Sequence, residues 1–258
     1  MKKSTLTNLE LEWNTVEKQI VSSINNYVKN AKAEGVVIGL SGGLDSSVTI
    51  ALCVKALSKE NVIALIMPDN EVTPRQDIED AISLSNSLGV QYTNIDINPI
   101  YTAYAQSNPI HNEKKKNACG NLRARIRMTL LYYYANTQNL LVVGTGDKSE
   151  ILIGYFTKWG DGAADFRPIK ELYKTQVRSL AKHLGIPEQI VIKPSSPRLW
   201  KGQLAEREIG IKYQLLDSIL FGLVDLEMTI EEIADQLNIS SNIINKVVTM
   251  IKKTEHKR

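Results

Sequence analysis

One run constrains this chain more than any other: Val36-Val37-Ile38-Gly39-Leu40-Ser41-Gly42-Gly43-Leu44-Asp45-Ser46-Ser47. Val36 to Leu40 is a short apolar stretch with β-branched members, which reads as a strand buried on both faces of a parallel sheet. It stops at the Ser41-Gly42-Gly43 turn. An apolar-periodic helix then begins near Asp45 and Ser46, carried by Val48, Ile50, Ala51, Leu52 and Val54. Strand, glycine turn and helix together aim backbone N–H groups and a helix N-terminus at an anion such as phosphate. The glycines let the backbone take a positive φ and come close to that anion. Asp45 would repel a phosphate unless a cation lay between them, so the loop points to a metal-bridged pyrophosphate. It is neither a Walker A loop nor the G-x-G-x-x-G of dinucleotide-binding folds.

Around this loop the chain reads as alternating strands and helices. Strand-like runs lie at 36–40, 62–67, 91–97 and 140–143, with a weaker fifth at 189–193; helical patterns fill 45–58, 74–88, 117–137 and 172–184. That alternation predicts an α/β fold with a doubly wound, five-stranded parallel sheet and its ligand at the carboxyl ends of the strands. Gly144-Thr145-Gly146 makes a second glycine turn on the same rim. An amphipathic helix is expected over 8–32, from Leu9, Val16, Ile20, Ile24, Tyr27, Val28 and Ala31. Residues 194–209 hold Pro194, Pro197 and Gly202 with little periodicity, an irregular stretch of the length often used as a lid. Helices over 210–221, 229–238 and 240–254 would form a C-terminal layer. The whole reads as a single domain: N-terminal helix, core 36–193, loop 194–209 and C-terminal helices.

Composition excludes several classes. With 258 residues, 43% of them hydrophobic, the chain buries one sizeable core. No stretch approaches the ~18 apolar residues of a membrane span, and Met1-Lys2-Lys3 leads into a polar pattern rather than a signal-peptide core. Cys53 and Cys119 show no metal-type spacing, which favours a reducing, cytoplasmic setting. A net charge of +3 gives little reason to expect nucleic acid as a partner. The basic tail Lys252, Lys253, His256, Lys257 and Arg258 is expected to be solvated.

The second informative block is 144–176. Glu150, Asp161 and Asp165, with Lys158 and Lys174, surround a glycine-rich turn that also carries Tyr155, Phe156 and Trp159. Carboxylates that hold Mg²⁺ beside lysines that neutralise departing phosphate are what a nucleoside triphosphate needs.

The S-G-G-x-D-S string resembles the signature of the PP-loop ATP pyrophosphatases. The 144–165 block resembles that of the NAD synthetase family, approximately G-T-x-x-x-x-E-x-x-x-G-Y/F-F-T-K-Y/F/W-G-D-G-x-x-D. Three further segments are similar to the family's: G-N-L-R-A-R-I-R-M at 120–128, L-Y-K-T-Q-V at 172–177 and L-W-K-G-Q at 199–203. The resemblance covers roughly residues 15–258. It implies a Rossmann-like, adenine nucleotide alpha-hydrolase-like fold and a two-step amidation. ATP adenylylates the nicotinate carboxylate of deamido-NAD, and ammonia then displaces AMP. It also implies roles. Ser41, Gly42, Gly43, Leu44, Asp45, Ser46, Met67, Thr145, Lys174 and Ser196 would bind ATP. Asp45 and Glu150 would ligate Mg²⁺, with Asp161 as a second-metal ligand or an acceptor for ammonium. Asn121, Arg125, Tyr132, Tyr155, Lys158, Asp161 and Asp165 would shape the deamido-NAD site, which in the family lies at a homodimer interface. The 35 residues before the first strand leave no room for a glutaminase domain, so free ammonia is the expected nitrogen donor.

Three positions depart from the pattern. The loop reads Gly202-Gln203-Leu204-Ala205-Glu206 where G-Q-T-D-E is common. Asp147 stands where Asn is common, adding negative charge near the metal. The chain ends at Arg258, where relatives often continue. Other PP-loop ligases need different substrate segments. Residues 229–250 also have the rhythm of a helix-turn-helix, but two packed helices capped by Ser240 fit the apolar pattern better.

Overall fold

In the computed structural model, which describes residues 5–7 and 9–258, the apolar run becomes the middle of the sheet. Strand β1 (Gly35–Gly39) buries Val36, Val37 and Ile38 completely. It is hydrogen-bonded on one side to β2 (Val62–Ile66) and on the other to β4 (Leu140–Val143), with β3 (Gln91–Asn94) outside β2. All three pairings are parallel, and Val37 stands opposite both Ile63 and Val142. Alternate β1 side chains feed opposite layers. Val36 and Ile38 join one core and Val37 another, as a strand of period two requires.

The layers are laid down by twelve helices among the described residues. Helix α1 (Trp13–Ala31) starts later than expected because the Glu12 carboxylate caps it, accepting from Thr15 N at 2.7 Å. Residues 9–11 are not helical, and residue 8 lies outside the described residues. Helices α2 (Leu44–Leu57) and α3 (Arg75–Leu88) follow β1 and β2. Helix α4 (Asn98–Ser107) was not legible as a helix: Tyr101 is its one buried residue, so it shows no apolar stripe. Helix α5 (Lys116–Gln138) lies over the opposite face of the sheet. After β4 come α6 (Lys148–Ile153) and α7 (Lys174–His183).

The expected fifth strand at 189–193 is a correction. These residues form a short helix, α8 (Glu188–Val191), that starts directly after Pro187 and buries Ile190 and Val191. A short apolar run without periodicity does not separate strand from buried helix. The sheet therefore has four strands. Beyond β4, among the described residues, lies a single parallel bridge, Val143 to Phe166, secured by Gly144 N donating to Phe166 O and Asp165 N to Val142 O, both at 2.9 Å.

The remaining elements are α9 (Ala205–Ile209), α10 (Tyr213–Leu220) running into a π-turn at 221–225, α11 (Ile230–Leu237) and α12 (Ser241–Lys253). About two thirds of the expected irregular stretch, 194–204, is loop, and the rest forms α9. Helices α11 and α12 pack as a pair: Ile233, Ile244 and Val247 are fully buried with Leu216, Ile219 and Leu220 of α10. Thr229 and Glu232 form a reciprocal cap at the start of α11, and Ser240 caps α12. No helix among the described residues is long and apolar enough to cross a membrane.

Candidate active site

The chain runs from β1 outward to β2 and β3, then returns to place β4 on the other side of β1. A crevice opens where the direction reverses, at the carboxyl ends of β1 and β4. Both glycine turns lead into it. Gly42 has φ +71°, and a Cβ there would sit 2.0 Å from the Asp77 carbonyl oxygen, so only glycine fits this turn. Gly43 precedes α2, whose first turn is closed by Ser46 and Ser47 hydroxyls donating to Gly43 O at 3.1 and 2.8 Å. A cavity of about 750 Å³ fills the crevice.

Under this cavity lies a buried cluster of four charged side chains. Lys174 Nζ, 1% exposed, is 2.7 Å from Asp45 Oδ2, 2.8 Å from Asp147 Oδ2 and 2.9 Å from Glu150 Oε1. The four groups come from the starts of three helices, Asp147 and Glu150 both from α6. Asp45 is in the first turn of α2, Asp147 caps α6 by accepting from Glu150 N at 2.8 Å, and Lys174 opens α7. The backbone N–H of Lys174 donates to Ser149 Oγ, which donates in turn to the buried Asp217 carboxylate at 2.6 Å. Burial pushes the Asp147 carboxyl up to about 6, against the pull of Lys174. Burial likewise carries Glu150 well above the usual carboxylate range. Burial opposes the Lys174 charge, but its three carboxylates outweigh that and hold the ammonium well above its ordinary value.

Three carboxylates against one ammonium leave an excess of negative charge. Asp45, Asp147 and Glu150 bring one oxygen each within 4.8 Å of one another. Asp45 Oδ1 is buried with no hydrogen-bond partner among the described residues. Hard oxygens, close spacing and an orphaned acceptor fit a divalent cation such as Mg²⁺.

Of the residues expected to bind ATP, Ser41, Gly43, Leu44, Asp45, Ser46, Met67, Thr145 and Ser196 line the cavity. Gly42 backs the turn against α3, and Lys174 lies beneath the lining. The substrate set divides. Asn121, Tyr155 and Asp161 line the cavity. Asn121 Oδ1 accepts from the Thr157 hydroxyl at 2.8 Å, and Asp161 from Thr157 N at 2.9 Å; Asp161 is thus brought to the cavity but not into the carboxylate trio. Arg125, Tyr132, Lys158 and Asp165 are not in its wall. Arg125 donates to the Lys158 carbonyl at 3.1 Å, and Lys158 Nζ to the His256 carbonyl at 2.6 Å. Asp165 accepts from Val142 N at 2.7 Å and from the Tyr132 hydroxyl at 3.3 Å, which stitches the loop to β4.

Sequence reasoning missed four participants. Asp147 was read only as extra charge, although Asp147 three residues before Glu150 is also a helix-cap spacing. Arg127 lines the cavity and donates to Met67 O at 2.9 Å; burial draws its guanidinium down to about 10. Lys193 and Lys257 also line it. The tail is therefore not simply solvated: Lys257 Nζ donates to the carbonyls of Gly154 and Phe156 at 2.7 and 2.8 Å, folding the chain end onto the site.

The family model described as NAD synthase matches residues 16–258. The chain belongs to the NAD synthase family. A protein of Hyperthermus butylicus named NH(3)-dependent NAD(+) synthetase is 51% identical over 97% of the chain and 90% of its own length. A Methanocaldococcus jannaschii protein of the same name is 49% identical over 95% and 96%. Among solved structures, an NMN synthetase from Francisella tularensis superposes with a TM-score of 0.85 at 35% identity, covering 96% of this chain and 97% of its own. An NH3-dependent NAD synthetase from Campylobacter jejuni gives 0.80 at 33% identity, with 96% of each chain covered. These members share the α/β architecture, so the family fold implied by the motifs holds, with four strands instead of five.

Proposed function

We propose that the chain makes NAD from deamido-NAD, ATP and ammonia. A nicotinate carboxylate oxygen attacks the α-phosphorus of ATP and pyrophosphate leaves. Ammonia then adds to the activated carbonyl carbon, loses a proton, and AMP departs with the former carboxylate oxygen. The observation that carries this reading is the convergence of the β1 glycine turn and the Lys174 cluster on one cavity at the switch point.

Asp45, Asp147 and Glu150 would hold Mg²⁺, which neutralises triphosphate charge and polarises its oxygens. Gly43, Ser41 and Ser46 grip the pyrophosphate portion, while Thr145 and Ser196 contact phosphate from the facing wall. Lys174, fixed from below, offsets charge as pyrophosphate leaves. Most of the acceleration then comes from placement and charge neutralisation rather than from a protein nucleophile. Asp161 stands at the cavity as the acceptor for ammonium or a second metal ligand. Asn121 and Tyr155 meet deamido-NAD within the cavity. Arg125, Tyr132, Lys158 and Asp165 meet it from a neighbouring face, at the interface of a homodimer. Ammonia as direct donor is supported by the names of the relatives, which this chain covers almost end to end. The setting is cytoplasmic.

The first half-reaction tests this alone. Isotope exchange between pyrophosphate and ATP is expected with deamido-NAD present and ammonia absent; exchange without deamido-NAD would remove the assigned acceptor. The similarity to a structure named NMN synthetase makes the mononucleotide the competing product, so the assay must separate NMN from NAD.

A further inference from the structure

Lys193 follows α8 and leads into loop 194–204. Its ammonium donates to Gly42 O at 2.7 Å, Asp77 Oδ1 at 2.8 Å and Asp80 Oδ2 at 2.6 Å. Asp77 and Asp80 sit in the first two turns of α3, each 4% exposed. The second Asp77 oxygen accepts from Arg198 Nε, within the same loop, at 2.7 Å. Two cations from one loop thus neutralise two buried carboxylates on one helix. Well-packed apolar residues would stabilise such a place at least as well, so the quartet is better explained by what it positions than by stability.

What it positions is the glycine turn. A trans peptide points its C=O and the next N–H in opposite directions, and the chain contains no cis peptide among its described residues. Holding Gly42 O against Lys193 therefore turns Gly43 N–H away from α3 and toward the cavity that Gly43 lines. That N–H has a weak partner, the Ser41 hydroxyl at 3.3 Å. It is poised to donate to phosphate instead. The turn is close enough to α3 that a Cβ on Gly42 would overlap the Asp77 carbonyl, so the clamp, the helix and the turn form one rigid contact.

We propose that Lys193 is a positioning residue that fixes the Gly42–Gly43 peptide for pyrophosphate. The clamp closes when Lys193 is seated on Asp77 and Asp80 and Arg198 of loop 194–204 on Asp77, so the phosphate cradle is complete only with that segment in place. This rests on the reading of the cavity as an ATP site.

Three variants test it: Lys193→Met, Lys193→Arg, and Lys193→Met combined with Asp80→Asn. The double variant removes the unpaired carboxylate while Arg198 still pairs Asp77, so it separates charge imbalance from positioning. Lys193→Met is expected to lower kcat/KM for ATP by about 100-fold, the scale of one lost transition-state donor, and to leave KM for deamido-NAD within about twofold. The double variant should recover the thermal midpoint but not the rate, and Lys193→Arg should recover part of it. A double variant that regains both stability and rate would overturn the proposal, as would Lys193→Met with unchanged kcat/KM for ATP. Calorimetric affinity for Mg-ATP keeps the two ideas apart. Weakened ATP binding in Lys193→Met supports the clamp even if the wild-type protein amidates some other carboxylate.

Discussion

Lys174 is sealed from water with three carboxylates around it. Removing one member of such a group leaves buried charge unpaired. Lys174→Met should therefore lose about 3–5 kcal/mol of stability in urea titrations without metal, and Mg²⁺ should restore more of it in the variant than in the wild type. Asp45→Asn or Glu150→Gln should abolish adenylylation with the circular dichroism spectrum intact; normal turnover in either removes it from the metal site. Asp147 gives a pH signature in metal-free protein. Its folded pKa, about 6, lies above the ordinary 3.8, so the native state binds more protons between these values. Stability is expected to fall as pH rises from about 4 to 6, and Asp147→Asn should flatten that slope. At this scale the sequence was informative where chemistry is local. The S-G-G-x-D-S loop, Glu150 and Lys174 declare themselves by type and spacing. Asp147, Arg127 and Lys257 do not, because their roles depend on partners brought near only by the fold: Asp147 meets Lys174 across 27 positions, and Lys257 meets Gly154 across 103.

Elements were legible in proportion to how regularly they bury apolar residues. Helix α2, with nine buried residues, and β1, with its fully buried centre, were read nearly to the residue. Helix α4, with one buried residue, shows no apolar period in the sequence, and the four residues of α8 are too few to show one. The join between β1 and α2 carries its own test. Gly42→Ala forces a side chain into a positive-φ turn and against the Asp77 carbonyl. It should cost at least about 1–3 kcal/mol and weaken Mg-ATP binding in the same calorimetric assay; unchanged affinity would show that the turn tolerates displacement. Helix α2 carries another. Cys53 is fully buried, and burial pushes its thiol up to about 12. It should resist a disulfide reagent at pH 8 in the native protein and react at once in guanidinium; rapid native labelling would show that α2 opens locally.

At the scale of the molecule, three layers converge on one rim: the sheet and its helices supply the glycine turns, the loop after α8 supplies Lys193 and Arg198, and the C-terminal tail supplies Lys257. Large apolar side chains remain exposed on α4, α5 and the segment between them, notably Tyr104, Ile110 and Tyr133. The proposed homodimer would use these side chains, with Arg125 and Tyr132 on the same helix α5. Sedimentation should give a dimer of about twice 28.8 kDa, and Tyr133→Glu with Ile110→Glu should shift it to monomer and raise KM for deamido-NAD more than for ATP. Product formation from deamido-NAD and Mg-ATP, with ammonium or glutamine as donor and AMP and pyrophosphate counted alongside, tests the amidation most directly. NAD is expected with ammonium alone, at one AMP and one pyrophosphate per NAD. Intact dimeric protein that formed NAD only with glutamine, or released ADP instead of AMP, would contradict it.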